Sequence, residues 1–187
     1  MKLIVFALSF CALLALVAAA ATAQSTVPGT SGTPTTQRGG LSDRSAATLR
    51  QLGSSNLFEI ESSRLALARS QSNAIKEFAD RMVGEHARAA NRTREVLNEM
   101  GASPPATMLE AAHQEKLDAL KAVANQEFDR VYVEVQYTEH VDAIALVREY
   151  ARTGDSERLK ALAAEALPML QGHLDAVTRL RDGRPAR

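Results

Sequence analysis

The spacing of apolar residues between about Asp43 and Leu180 is the feature that most restricts the fold of this chain. Apolar side chains recur every three or four residues, and they do not alternate with polar ones as they would in a half-buried strand. Only four of the six prolines lie beyond residue 40, so long helices can form with little interruption. The pattern predicts one all-helical domain.

Capping residues and helix breakers divide this domain into six predicted helices. Serines stand at several expected N-caps, and glycines stand where the third and fifth helices are expected to end. The predicted helices are Asp43–Leu52, Asn56–Ser70, Ser72–Met100, Ala106–Ala124, Glu127–Arg152 and Ser156–Arg181. The third and fifth look like copies of one unit, because Glu85-His86 in one matches Glu139-His140 in the other. This organisation predicts a four-helix bundle with one or two additional helices over residues 41–182.

The amino-terminal segment predicts export. Residues 1–23 have a positive start at Lys2, a long apolar run and small residues before Gln24, which is the pattern of a cleaved signal peptide. Residues 24–40 follow as a flexible tether, since 13 of these 17 residues are Ser, Thr, Pro or Gly. We therefore expect a periplasmic or secreted protein, anchored in the membrane if the leader is retained, with possible envelope or membrane-surface association through the tether. Residues 183–187 form a short tail.

Composition excludes several classes of function. The 22 basic and 22 acidic residues give no overall field that would attract nucleic acid. The single cysteine, Cys11, lies in the leader, so the mature chain has no thiol chemistry. The sequence also lacks a Gly-flanked nucleophilic serine and a phosphate-binding glycine loop. We expect a protein that is not an enzyme.

Titratable residues lie on the apolar faces of the predicted helices. At 100° per residue, His86 falls in the middle of the apolar face of the third helix and His173 in the middle of that of the last helix. The same projection places Glu61 among apolar residues of the second helix and Glu59 toward water. Polar groups are costly to bury without a hydrogen bond, an ion partner or a metal ion, so a polar cluster is predicted inside the bundle.

The fifth helix leaves its inward residue undecided, because apolar residues surround it. One face would contain Glu139 and another would contain His140 with Asp129, and the match to His86 favours His140. His113 lies near the edge of the fourth helix's apolar stripe and is a weaker candidate.

Four groups of residues resemble a known family. They are Ser55–Glu61 with Arg64–Ala66, Phe78–Ala79 with Met82–Val83 and Glu85–His86, Phe128–Arg130 with Tyr132 and Glu139–His140, and Leu167–Pro168 with Leu170 and His173–Leu174. Their order and spacing are similar to those of the bacterial exported proteins grouped as "domain of unknown function 4142", over about residues 43–180. The resemblance implies a ferritin-like up-down four-helix bundle and no particular reaction. It places the family's recurrent polar positions at Glu85, His86, Glu139, His140 and His173, while Gln136-Tyr137 stands where the family is usually apolar.

Three functions fit these residues. The first, favoured because buried polar groups are normally satisfied, is a non-catalytic envelope or stress-associated module whose inward residues bond one another. The second is a metal-binding bundle that holds zinc, copper or iron. Its predicted ligands are Glu61, His86, His140 and His173, with Glu85, Asp129 and Glu139 as secondary candidates.

The third function, a di-iron oxidase, is disfavoured. Ferritin-like di-iron sites use Glu-x-x-His pairs on two helices. Here Val83, Tyr137 and Leu170 occupy the positions three residues before the inward histidines. The Glu-x-x-His pairs of such a site are therefore missing.

Overall fold

The computed structural model describes residues 40–184, and these residues form five α-helices and no strand. The helices are α1 (Asp43–Arg69), α2 (Asn73–Glu99), α3 (Ala111–Ala122), α4 (Asn125–Thr153) and α5 (Glu157–Arg181). The prediction of a ferritin-like four-helix bundle with an additional helix is confirmed. The predicted leader, all of the tether except Gly40, and the last three residues of the tail lie outside the described residues. No described helix combines the length and the apolar character needed to span a bilayer.

The four long helices form a ring in which neighbours run antiparallel. Helix α1 packs on α2 and α4, and α5 packs on the same two helices. Ser45 at the start of α1 bonds Tyr150 near the end of α4, and Glu99 at the end of α2 pairs with Arg158 at the start of α5. Helices α2 and α4 consequently run in the same direction, and residues 100–124 must return along the length of the bundle. This single long crossover, which carries α3, is characteristic of ferritin-like folds.

The break predicted between Leu52 and Asn56 was wrong, since α1 is continuous through it. Serine favours helix ends when its side chain competes for the helix backbone. The Ser54 hydroxyl is instead engaged outside its helix, because it accepts the Glu110 amide at 2.8 Å and bonds His113 at 2.7 Å. These contacts with the crossover offset the cost of a helical glycine at Gly53, about 1 kcal/mol.

The crossover helix is shorter than predicted. The pattern predicted Ala106–Ala124, whereas α3 runs over Ala111–Ala122 and residues 101–110 are not helical. This segment is fixed to the bundle in a non-helical form at two points. The Glu110 amide donates to the Ser54 hydroxyl of α1, and Ala102 is buried. The other predicted helices agree with α2, α4 and α5 to within two residues at each end.

The bundle core has two apolar halves separated by a polar layer. One half contains Phe78, Met82, Phe128, Tyr132, Val133 and Val177, and the other contains Val96, Leu97, Ile144, Val147, Leu159 and Leu170. Between these halves, α2, α4 and α5 bury polar residues, namely His86, Gln136, Glu139, His140 and His173. The candidate site therefore lies at mid-height, closed above and below by packed apolar side chains.

Candidate metal centre

Three of the four histidines meet inside the bundle. His86 comes from α2, His140 from α4 and His173 from α5, and each is at most 4% exposed. Their ring centroids lie 5.2, 5.2 and 5.8 Å apart, and one ring nitrogen from each lies within 4.8 Å of the other two. The structure thus brings together three of the predicted ligands from three separate helices.

One nitrogen of each ring is committed to an acceptor outside the cluster. His140 Nδ1 donates to the Gln136 carbonyl at 2.8 Å, and His173 Nε2 donates to the Glu85 carboxylate at 2.5 Å. His86 Nδ1 donates to Asn56 Oδ1 at 3.0 Å. An acceptor on one nitrogen sets the tautomer, so the lone pair of each ring is on the other nitrogen.

The second ring nitrogen of each histidine faces the other two rings and carries no proton that it could donate. His140 Nε2 lies 3.2 Å from His173 Nδ1, and both carry lone pairs in this arrangement. His86 Nε2 is buried and has no hydrogen-bond partner among the described residues. Two nitrogens bound tetrahedrally to zinc at about 2.0–2.1 Å would be about 3.3 Å apart, close to the separation observed here. The three rings are close enough together that they could hold one metal ion.

The protein holds these imidazoles in their neutral form. Burial lowers the pKa of His140 to about 4, assisted by the charge of Arg81 and opposed by the Gln136 carbonyl and Glu139. Burial, His140 and Arg81 together lower the pKa of His173 to about 3. Burial and the two neighbouring rings lower the pKa of His86 well below its usual range. At neutral pH all three lone pairs are therefore available to a metal ion.

The prediction that Glu61 faces inward and Glu59 faces water was wrong, because the structure places the two the other way round. The Glu61 side chain is 37% exposed and pairs with Arg64 at 2.7 Å, whereas Glu59 is 2% exposed. Helix α1 turns inward a face made largely of serines, because Ser62 and Ser63 have no exposed surface. Serines at three- and four-residue spacing from Glu59 were the signal that could have identified it.

Glu59 adjoins the cluster, and no Lys or Arg within residues 40–184 forms an ion pair with it. Its Oε1 lies 3.8 Å from His140 Nδ1, and its Oε2 is buried without a hydrogen-bond partner among the described residues. Burial raises the pKa of Glu59 well above its usual range, and the nearby Glu139 raises it further. The carboxyl group therefore favours the neutral form while no cation is close.

The other secondary candidates have different positions. Glu85 reaches the cluster indirectly, through the hydrogen bond that its carboxylate accepts from His173. Asp129 is only partly buried, and the structure does not place it among the three histidines. On α4, which corresponds to the fifth predicted helix, Glu139 and His140 are both buried, so each of the two alternative inward faces packs against the rest of the protein.

Glu139 belongs to a second polar cluster beside the first. It accepts hydrogen bonds from His113 Nε2 at 3.1 Å and from Lys116, both on α3. Burial by itself would raise the pKa of Glu139, but these two donors outweigh it and lower the pKa. His113 also bonds Ser54 and stacks on Phe58. Glu139 and His113 therefore fasten the crossover helix to the bundle rather than joining the three histidines.

The fold is shared with a solved structure, described as "Crystal structure of DUF305 fragment from Deinococcus radiodurans". It matches with a TM-score of 0.65 at 11% identity, over 76% of this chain and 97% of that one. At this identity the likeness shows the fold alone. No curated protein sequence matches the chain.

A family-level match covers most of the sequence. The sequence model of the family described as "Domain of unknown function (DUF4142)" matches residues 30–180, which include every residue of both polar clusters. The resemblance found in the sequence is confirmed. This chain belongs to the DUF4142 family.

Proposed function

We propose that this protein is an exported, non-catalytic metal-binding module in which His86, His140 and His173 bind one divalent transition metal ion. A single observation carries the proposal. Three buried and neutral imidazoles each use one nitrogen for a hydrogen bond outside the cluster and leave the other free within it. Histidine ligands in metal sites are typically oriented by such outer acceptors.

A self-contained hydrogen-bond network fits the same residues less well. Buried polar groups in such a network are expected to be satisfied by one another. Here His86 Nε2 has no hydrogen-bond partner within residues 40–184, and His140 and His173 present two acceptors to each other. A metal ion would satisfy all three nitrogens at once.

The ligand type favours zinc or copper. Three imidazole nitrogens without thiolate suit both ions, and the affinity of a given nitrogen site for Cu²⁺ exceeds that for Zn²⁺. The arrangement lacks the features of a di-iron centre, because Glu139 is engaged by His113 and Lys116 and Glu61 is directed to the surface. Three protein ligands would also leave one tetrahedral position for another ligand.

Metal analysis of the untagged protein tests this function. The full-length chain would be expressed with its leader and purified without a histidine tag, and bound metal would be measured by mass spectrometry and by competition with a chromophoric chelator. We expect one zinc or copper ion per chain in the wild type and its loss in His86→Gln. The matched control is His113→Gln, which changes the one histidine outside the cluster and is expected to keep the ion. A wild type that binds neither ion, or equal loss in both variants, would overturn the proposal.

Export is a separate part of the proposal and needs a separate measurement. It is supported by the apolar segment and small residues that precede Gln24. Amino-terminal sequencing of the protein from an envelope fraction is expected to begin at Gln24. An intact Met1 in the cytoplasmic fraction would contradict it.

A further inference from the structure

Arg81 presents two unused hydrogen-bond donors inside the protein. Its Nε and Nη2 atoms are both buried and have no hydrogen-bond partner among the described residues. These two atoms form one edge of the guanidinium group, and parallel N–H bonds from such an edge are the usual way in which arginine binds a carboxylate or phosphate. This edge has the donor geometry of an anion site, and because both atoms are covered in this structure, an anion reaches them when the partly exposed Arg81 side chain turns or the side chains over it move.

The chain does not supply that anion itself. Within residues 40–184, no Asp or Glu lies within ion-pair distance of Arg81, and the sequence outside this range contains neither residue type. On α2, Glu77 and Glu85 each lie four residues from Arg81 and neither pairs with it; the one that also contacts the histidine cluster is Glu85. Its carboxylate accepts the His173 proton with one oxygen and lies 3.8 Å from Arg88 with the other. A partly buried cation without an internal partner is costly, so an external anion would lower the free energy of this state.

Arg81 is close to the histidine cluster. It lies on the same face of α2 as Glu85, which bonds His173 directly. Its charge helps to lower the pKa of both His140 and His173. The guanidinium also lies 5.8 Å from the centroid of the Phe78 ring, which limits where it can move. An anion on its free edge would sit beside the site proposed for the metal.

We infer that Arg81 binds a small anion with two accepting oxygens, of the carboxylate, bicarbonate or phosphate class, next to the three histidines. This inference goes beyond the proposed function and does not require a bound metal. The anion neutralises the guanidinium, and its negative charge favours a divalent cation at three neutral ligands. The protein would then hold a cation and an anion in adjacent positions.

Anion binding by the metal-free protein tests the inference. Formate, bicarbonate and inorganic phosphate would each be titrated at constant ionic strength, with chloride as the reference, and followed by calorimetry and by thermal unfolding. We expect at least one of the three to bind the wild type and to raise its Tm above that in chloride. Loss of a charge-assisted pair of hydrogen bonds in Arg81→Gln is expected to weaken binding about tenfold or more.

Two further variants make the result specific. Arg81→Lys keeps the charge but lacks the two-donor edge, so we expect it to weaken binding as well. Arg88→Gln changes an arginine on the same helix whose side chain is 74% exposed, and we expect wild-type anion binding. The inference is overturned if none of the anions binds better than chloride, or if Arg81→Gln and Arg88→Gln behave alike. Failure of the metal proposal would instead appear as absent metal binding with anion binding intact.

Discussion

His140 Nε2 and His173 Nδ1 lie 3.2 Å apart, and each ring has its proton on the opposite nitrogen. Two lone pairs at this distance repel each other in the low-dielectric interior of the bundle. The repulsion ends when a cation occupies the space between them. The bundle is therefore expected to gain stability when a metal ion binds between these two nitrogens.

Zinc is expected to stabilise the wild-type protein against unfolding. An ion that binds only the folded state at one hundred times its Kd adds about 2.7 kcal/mol to the free energy of unfolding. The measurement is a urea titration with and without Zn²⁺, and His86→Gln is expected to lose most of the gain. A similar gain in that variant would mean that zinc acts elsewhere on the protein.

Acidification is expected to destabilise the metal-free protein. The folded-state pKa values of His140 and His173 are lowered to about 4 and about 3, so the unfolded chain binds these protons more readily. Their contribution is fully present above the unfolded pKa of about 6.5 and is lost as the pH falls toward 4. Within this window each histidine lowers the free energy of unfolding by on the order of 1.4 kcal/mol for every pH unit of acidification.

The pH effect can be assigned with a variant. Urea unfolding between pH 7 and pH 4.5 would be compared for the wild type and for a His140→Gln, His173→Gln protein, which cannot gain these two protons. We expect a clearly smaller slope in the variant. Parallel profiles for the two proteins would contradict the assignment of the loss to these two rings.

Glu85→Gln is expected to weaken metal binding without removing a ligand. The Glu85 carboxylate accepts the His173 Nε2 proton at 2.5 Å, which holds the ring and increases the basicity of Nδ1. Loss of such an outer partner typically reduces metal affinity about 10- to 100-fold. The affinity for Zn²⁺ would be measured by chelator competition. Glu95→Gln, which changes an exposed carboxylate on the same helix that pairs with Arg92, is the control and is expected to bind as the wild type does.

The fold was predictable from the sequence because helical periodicity depends on many residues at once. The merged first helix shows the limit, since a break was predicted between Leu52 and Asn56, where Ser54 instead bonds Glu110 and His113. Those partners are 56 and 59 residues away along the chain. Local patterns do not contain such long-range hydrogen bonds.

The site was predictable in part for a related reason. His86 and His173 lie at the centre of strongly apolar faces, so their inward direction follows from periodicity. Glu59 was missed because Ser62 and Ser63, which are buried on its side of α1, count as surface residues in a hydrophobic projection. Convergence of three rings on one point depends on how the helices pack, and this is a tertiary property.

The crossover helix is expected to loosen when its link to α4 is removed. Glu139 is the acceptor for both His113 and Lys116 of α3, and α3 has few other contacts with α4. Glu139→Gln removes the charge that holds both donors. We expect faster amide hydrogen exchange in residues 111–122 and little change in α5, measured by mass spectrometry. Equal acceleration in both helices would indicate general destabilisation instead.

Glu59→Gln is expected to stabilise the metal-free protein and to weaken metal binding. The folded-state pKa of Glu59 is raised by burial and by Glu139, so this group contributes stability below its unfolded pKa of about 4.5 and loses it as the pH rises. At pH 7 the uncharged amide avoids that loss, and Tm should increase. With a divalent ion bound, a carboxylate 3.8 Å from His140 Nδ1 becomes favourable, so the amide should lower the Zn²⁺ affinity. Glu61→Gln, on the exposed face of the same helix, is the control and is expected to change neither Tm nor the Zn²⁺ affinity. A Glu59→Gln protein that binds zinc as tightly as the wild type would show that the Glu59 carboxyl group does not contribute to metal binding.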